Sequence, residues 1–332
     1  MIAILIGTFL TLGLVQVFSA SREAYRLSEG LARVQENGRF ALDYLQRDIR
    51  MAGHMGCVND QARQQTPGTM ISHTGGNLDF GVSIRGYDSG ALPALGLNPA
   101  PIAGSDMIVL RFLSSDGVPI TNIDPDAGTV EVDADNWGVI TRGGVPDPVL
   151  FGVSDCAFAD VFQADAAAAG TVTVPATVDL NRYGINPEGG PATLYRAEAV
   201  VYYLANGAGG IPSLWRARLG AGAATTEELV EGIESMQLRY GVDSSGDPAQ
   251  PTGYIASQGD ASFVGNAADD WLMVGQVQVA LLVASPNPAS SAQASEARAP
   301  NLLGVVPEIP DDRKYRTVYQ STIALRNRLY GN

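Results

Sequence analysis

Residues 1–56 read MIAILIGTFLTLGLVQVFSASREAYRLSEGLARVQENGRFALDYLQRDIRMAGHMG, and the reading of this stretch decides the fold. Met1 to Ser21 contain no charged side chain, and up to Phe18 the only polar ones are Thr8, Thr11 and Gln16. Eighteen helical residues rise roughly 27 Å, close to the ~30 Å hydrocarbon core of a bilayer. A buried core helix suits a shorter apolar stretch, and a secretory signal would carry a basic start and a small-residue cleavage site. No basic residue precedes the apolar run here. The expectation is a membrane-embedded helix over residues 1–20.

Beyond Phe18 the composition changes while the period persists. Leu27, Leu31, Val34, Gly38, Ala41, Leu45 and Ile49 recur in steps of three and four, which marks one face of a helix, with Phe40 and Leu42 widening the stripe. The opposite face carries Arg22, Arg26, Arg33, Arg39, Arg47 and Arg50, interleaved with Glu23, Glu29, Glu36, Asp43 and Asp48. Glu29/Arg33 and Asp43/Arg47 are acid-first pairs four residues apart, each worth a few tenths of a kcal/mol. No proline occurs before Pro67, and Met51-Ala52-Gly53 offers a glycine stop. The predicted first unit is a single rod over residues 1–53. Its apolar packing face, Leu27, Leu31, Val34, Gly38, Leu45 and Ile49, needs cover from the chain's own domain or from neighbouring helices. The arginines after the apolar run would, by the positive-inside rule alone, keep the rest of the chain in the cytoplasm.

Residues 54–332 form the second predicted unit, rich in strands and turns. Asp106–Ser114, Thr129–Asp133, Val149–Gln163, Thr171–Val174, Leu194–Leu204, Ser213–Leu219, Ser235–Val242, Leu272–Ala284 and Tyr315–Asn327 are strand candidates, many with β-branched or aromatic residues in alternation. Residues 59–105 read as a long irregular loop, Glu227–Gly232 as a short helical turn, and Ser285–Asp312 as an exposed connector. One long helix followed by many strands makes an α+β fold with antiparallel pairing, with a possible subdivision into two β-subdomains near residue 190.

Between Met51 and Pro310 there are 28 acidic and 10 basic residues, a net charge near −18, and the whole chain has one lysine, Lys314. Such a surface repels phosphates, which argues against nucleic acid as a partner. The two cysteines, Cys57 and Cys156, admit two readings: a pair of buried thiols, or, in a domain outside the cytoplasm, a disulfide bond. A bond would close a loop of about 100 residues, for which chain entropy gives about 4–5 kcal/mol, and would staple the rod's end to the domain. His54 and His73 are the only histidines, with no metal-binding spacing, no Gly-x-Ser-x-Gly and no phosphate-binding loop. The acids Asp124, Asp126, Glu131, Asp133 and Asp135 fail the EF-hand spacing and read as solvated loop residues. No catalytic residue, cofactor or metal site is expected.

The opening block, together with Ser154–Ala157, Leu194–Ala197, Leu229–Gly241 and Arg313–Arg328, resembles type IV minor pilins of the PilW type, relatives of the minor pseudopilins of type II secretion. The resemblance implies a type IV pilin-like fold, the helix packed on an antiparallel sheet. It also implies a single-pass inner-membrane precursor with its C-terminal domain in the periplasm, and a place at the pilus tip. The expected partners are other minor pilins and the major pilin, through the N-terminal helix, and a tip adhesin. The family's basic leader and its Gly-Phe-Ser/Thr-Leu-x-Glu cleavage motif are not in this sequence, and Met1-Ile2-Ala3 matches the residues just after the motif's glutamate. The resemblance therefore implies a true start upstream of Met1, and a leader there would reverse the orientation argument. A secretion pseudopilin and, from another class, a membrane-anchored periplasmic enzyme or binding module are the alternatives.

Overall fold

The computed structural model describes residues 2–58, 66, 68–184, 192–220, 222–288, 300–325 and 327, without the side chains of residues 3 and 5. Helix α1 runs unbroken from Ile2 to Met51 and stops where Gly53 takes a φ of 77°, the left-handed conformation that a C-terminal glycine supplies. Sixteen strands come after it among the described residues. In chain order they are β1 (Met70–Ser72), β2 (Ile84–Tyr87), β3 (Met107–Leu113) and β4 (Val118–Asp124). Next come β5 (Thr129–Val132), β6 (Leu150–Ser154), β7 (Ala159–Gln163), β8 (Ala166–Ala168) and β9 (Thr171–Thr173). After these lie β10 (Thr193–Asn206), β11 (Pro212–Arg218), β12 (Thr225–Glu231) and β13 (Ile233–Asp243). The last three are β14 (Ile255–Gly259), β15 (Val274–Pro288) and β16 (Lys314–Ala324).

The long strand β10 is shared between two arrangements. Its first residues, Thr193–Arg196, pair with β6, and Thr193 and Leu194 also with β4, the entry to a lobe running from about Val118 to Tyr183. That lobe has its own core of Val130, Phe151, Val153, Phe162, Val172 and Leu194. From Ala197 onward β10 pairs instead with β3 and β11, which lead out to β2 and β12. A second, four-stranded antiparallel sheet has the order β14-β13-β15-β16. The chain passes from one sheet to the other at Gly232, with φ 79°, where a Cβ would stand 2.7 Å from the Ala284 carbonyl oxygen. Only glycine fits that corner.

Helix α1 lies over the seam of the two sheets. Val34, Ala41, Leu45, Ile49 and Ala52 are fully buried against Leu110, Val200 and Tyr202 on one side and Met236, Val279, Leu281 and Ile323 on the other. Gly38 sits under Tyr319, whose ring atoms would lie 2.4–2.7 Å from any added Cβ. The predicted packing face is only partly used. Leu31 is half-buried, and Leu27 and Phe40 are exposed. The domain's cover starts near Gly30, where Pro286 and Pro288 at the end of β15 meet the helix, so Leu27 lies beyond its reach. Among the described residues no helix is long and apolar enough to cross a membrane.

Two loop and turn readings change. Glu227–Gly232 is not a helical turn; the segment is the edge strand β12, because Glu227 and Glu228 face arginine and serine partners across β11. The 59–105 region holds β1 and β2, and its leucines Leu92, Leu95 and Leu97 lie over Val109, Val201 and Tyr203 on the sheet's outer face. Part of it, residues 59–65 and 67, lies outside the described residues, as do residues 289–299 of the expected connector and the turn cluster near residue 190.

One buried carboxyl pins the first of those loops. Asp106 accepts the Ser89 amide on one oxygen and the Leu238 amide of β13 on the other, at 3.0 and 2.8 Å. Burial, with Asp88 and Asp260 adding to it and the two amides opposing, pushes this carboxyl up to about 6. Because its folded value lies above its unfolded one, the group favours the folded chain at low pH. That contribution disappears as pH rises from about 4 to about 6.

Both the helix packing and this carboxyl can be tested by unfolding. Leu45→Ala is expected to lower unfolding free energy by about 2–5 kcal/mol, whereas Leu27→Ala leaves it within about 0.5 kcal/mol, both read by urea titration. Asp106→Asn removes the Asp106 titration, so the gap between wild type and variant changes by about 1–3 kcal/mol in the variant's favour between pH 4 and pH 7. Parallel pH profiles for the two proteins would refute that assignment.

Candidate functional site

The features that could interact with other molecules lie along α1, and what sets them is how its C-terminal half is held. Asp48 is on the apolar stripe by spacing, three residues from Leu45 and seven from Ala41, and it is 4% exposed. It does not belong to the solvated face where its charge would place it. Its Oδ2 accepts the Tyr202 hydroxyl of β10 at 2.6 Å and lies 3.4 Å from Arg216 Nη1 of β11. Burial, and next the neighbouring Asp48, push the Tyr202 hydroxyl well above its usual range, so it remains a donor. The pattern legible in retrospect is an acid on the stripe matched by Tyr202, Leu204 and Val200 pointing inward from alternate positions of one strand.

The network continues outward. Arg216 and Arg218 both reach Glu227 on β12, and Arg196 pairs with Glu198 while donating to the Ile140 and Arg142 carbonyls. A second buried group, Asp160 on β7, takes His73 Nε2 at 2.6 Å and the Tyr183 hydroxyl, with Arg182 at 3.4 Å. Arg182 also lies over the Phe158 ring at 4.1 Å. This group clamps β1 and its loop onto the inserted lobe.

Cys57 and Cys156 are bonded, with their Cα atoms 4.8 Å apart. The bond joins the segment leaving α1 to the β6–β7 turn, and both cysteines are exposed. Beside it Ser154 donates to the Met55 carbonyl at 2.9 Å, and a Cβ on Gly56 would meet Ser154 at 2.7–2.8 Å. His54 stands edge-on to Tyr195, and burial of its ring lowers its proton affinity.

Much of the remaining surface of α1 is open to solvent. Ile2, Ile4, Ile6, Phe9, Leu12 and Phe18 are 54–77% exposed. Further along, Phe40 is 53% exposed among Glu36, Arg39 and Asp43, beside a concavity of about 620 Å³. Six side chains of the predicted packing face thus divide. Val34, Gly38, Leu45 and Ile49 are buried inside the chain, Leu31 is half covered, and Leu27 joins the exposed set.

The acids from Asp124 to Asp135 bend onto their own backbone. Asp124 accepts from the Asp126 and Ala127 amides, and Asp133 from the Asp135 amide. Among the described residues no group of three or more His, Cys, Asp or Glu side chains could hold a metal ion.

Residues 201–327, from the second half of β10 through β16, match the family described as Type IV Pilus-assembly protein W. A type IV-like pilin from Thermus thermophilus is similar in structure, with a TM-score of 0.35 at 9% identity, over 89% of this chain and 98% of that one. No curated protein sequence matches the chain.

Removing the buried acid tests the anchor. Asp48→Ala leaves Arg216 and Tyr202 facing an empty site and is expected to cost about 3–5 kcal/mol in urea unfolding. A cost below about 1 kcal/mol would mean that the apolar stripe alone holds the helix.

Proposed function

We propose that this chain is a minor pilin, a structural subunit of a type IV pilus that helps initiate assembly in a tip complex. The observation that carries the reading is the division of α1. Its C-terminal half is locked into the domain by Leu45, Ile49 and Asp48, while its N-terminal half presents uncharged apolar side chains to the outside. An apolar helix of that length is costly in water at about 25 cal/mol per Å² and is stable only when something apolar covers it. In this reading the inner membrane covers it before assembly, with the C-terminal domain in the periplasm, and the helices of other minor pilins and the major pilin cover it afterwards. The match of residues 201–327 to the pilus-assembly family supports the reading from the other end of the chain. A tip adhesin is a further partner under this proposal. Nothing in the arrangement asks for catalysis: the buried acids and both histidines serve to join elements.

The exposed side of α1 separates a working surface from a mere stalk. Phe40→Glu, in a strain deleted for this gene and complemented with the variant, is expected to leave thermal unfolding unchanged and to reduce surface pili severely. Pilus counts equal to wild type, with the variant present at normal level, would count against the assembly role.

A further inference from the structure

Strand β16 is the outermost strand of the second sheet and pairs only with β15. Just past its end the Leu325 amide donates to the Gly275 carbonyl, and near its start the Tyr315 amide donates to the Ser285 hydroxyl of β15. Backbone groups alternate in direction along an antiparallel strand, so the odd-numbered residues of β16 face β15 and the even-numbered ones point away. The amides and carbonyls of Val318, Gln320 and Thr322 therefore line the outer edge, where Gln320 and Thr322 are exposed. Among the described residues no strand pairs with that side.

An open edge is a template for pairing, and proteins guard edges with charge, proline, bulges or shortness. The other strands paired on one side only are guarded in these ways. Strands β1 and β8 have three residues each and β2 has four. Strand β12 carries Glu227, Glu228 and Glu231 and a shift of register, and β14 has five residues and another shift. Strand β16 has eleven residues, and its register on β15 is regular from Ala324 back to Arg316. Thr317 to Ala324 include no charge, proline or glycine, and Thr317, Val318, Thr322 and Ile323 are β-branched.

We propose that β16 takes up an added strand from a different polypeptide, an extended, uncharged segment rich in β-branched residues. The uncharged edge offers no partner to a charged segment, and its β-branched side chains match others of their kind across a strand pair. A second copy of this chain does not fit. Gly38 lies under Tyr319, Gln46 donates to Ser321 and Asn327 donates to the Arg50 carbonyl, so α1 and β16 run in the same direction. Two copies joined antiparallel through β16 would point their rods in opposite directions, and joined parallel they would carry them on opposite faces of the shared sheet. Neither arrangement lets the rods pack in one bundle, as the pilus reading requires, whereas the open edge itself is independent of that reading.

The test uses the full chain in detergent micelles and a fluorescein-labelled peptide of alternating threonine and valine, with a proline-interrupted peptide as control. Saturable binding of the uninterrupted peptide alone is expected by fluorescence polarisation. Amide hydrogen exchange, read residue by residue, should then slow at Val318, Gln320 and Thr322. Thr322→Pro removes an outward N–H and no bond to β15, and should weaken binding about tenfold. If that variant does not fold, Thr322→Lys, a guarding charge at the same exposed position, should weaken it likewise. The proposal fails if the peptide does not saturate, if the folded variant binds as wild type does, or if the three amides gain no protection. It fails equally if the chain dimerises without peptide and the variant abolishes the dimer, which would make a second copy the occupant. These readouts do not involve pili, so their failure leaves the pilus reading to the Phe40→Glu result.

Discussion

The carboxylate of Asp48, held out of water between Tyr202 and Arg216, fixes the helix on which the rest of the molecule is built. An apolar stripe alone specifies which face of a helix turns inward, but it tolerates sliding, since neighbouring turns offer similar side chains. A buried charge does not tolerate sliding. Moving α1 by one turn, about 5.4 Å, would leave the acid without its donors, at a cost that apolar contacts cannot offset. Gly38 then sets the depth, because only a bare backbone passes beneath the Tyr319 ring. The Cys57–Cys156 bond sets where the chain goes after the helix ends. A buried acid, a glycine and a disulfide thus define register, depth and exit.

That constraint divides a single helix into two functional halves. From Gly30 to Met51 its stripe belongs to the domain, and the second sheet supplies most of the cover through β15 and β16. Before Gly30 the large apolar side chains Phe9, Leu12, Leu14 and Phe18 are exposed. A rigid, unbroken rod transmits position from one half to the other without a hinge, as no proline or non-helical residue interrupts it.

Much of this is legible in the residues, and the failures have specific causes. The stripe through Val34, Gly38, Ala41, Leu45 and Ile49 and the glycine stop locate the rod's inner half, because period and cap are local signals. Where the domain stops covering the stripe is not local, so the spacing turns Leu27 and Phe40 inward although both are exposed. The edge strand β12 carries Thr225-Thr226-Glu227-Glu228-Leu229-Val230-Glu231, whose glutamates favour a helix in isolation. Cross-strand partners Arg216 and Ser213 decide otherwise. Strands β1 and β2 are three and four residues long inside a glycine-rich stretch, too short for alternation to register. The charge of Asp48 points it outward and its spacing points it inward, and here spacing is the better guide.

The scarcity of lysine connects the anchor to the surface. Twenty arginines and one lysine leave guanidinium as almost the sole cation of this chain. Inside the domain that choice has a structural reason: Arg111, Arg196, Arg216 and Arg316 are each buried or nearly so, and each holds two or more acceptors that a point-charged ammonium would satisfy less well. With so many of the domain's cations turned inward, the surface left to solvent is dominated by acids. The outward cations are then chiefly those of α1, where Arg22, Arg26, Arg33 and Arg39 are exposed. The same face of α1 exposes Glu23, Glu29, Glu36 and Asp43, so the rod carries a nearly balanced mixture of charges while the domain's surface is acidic.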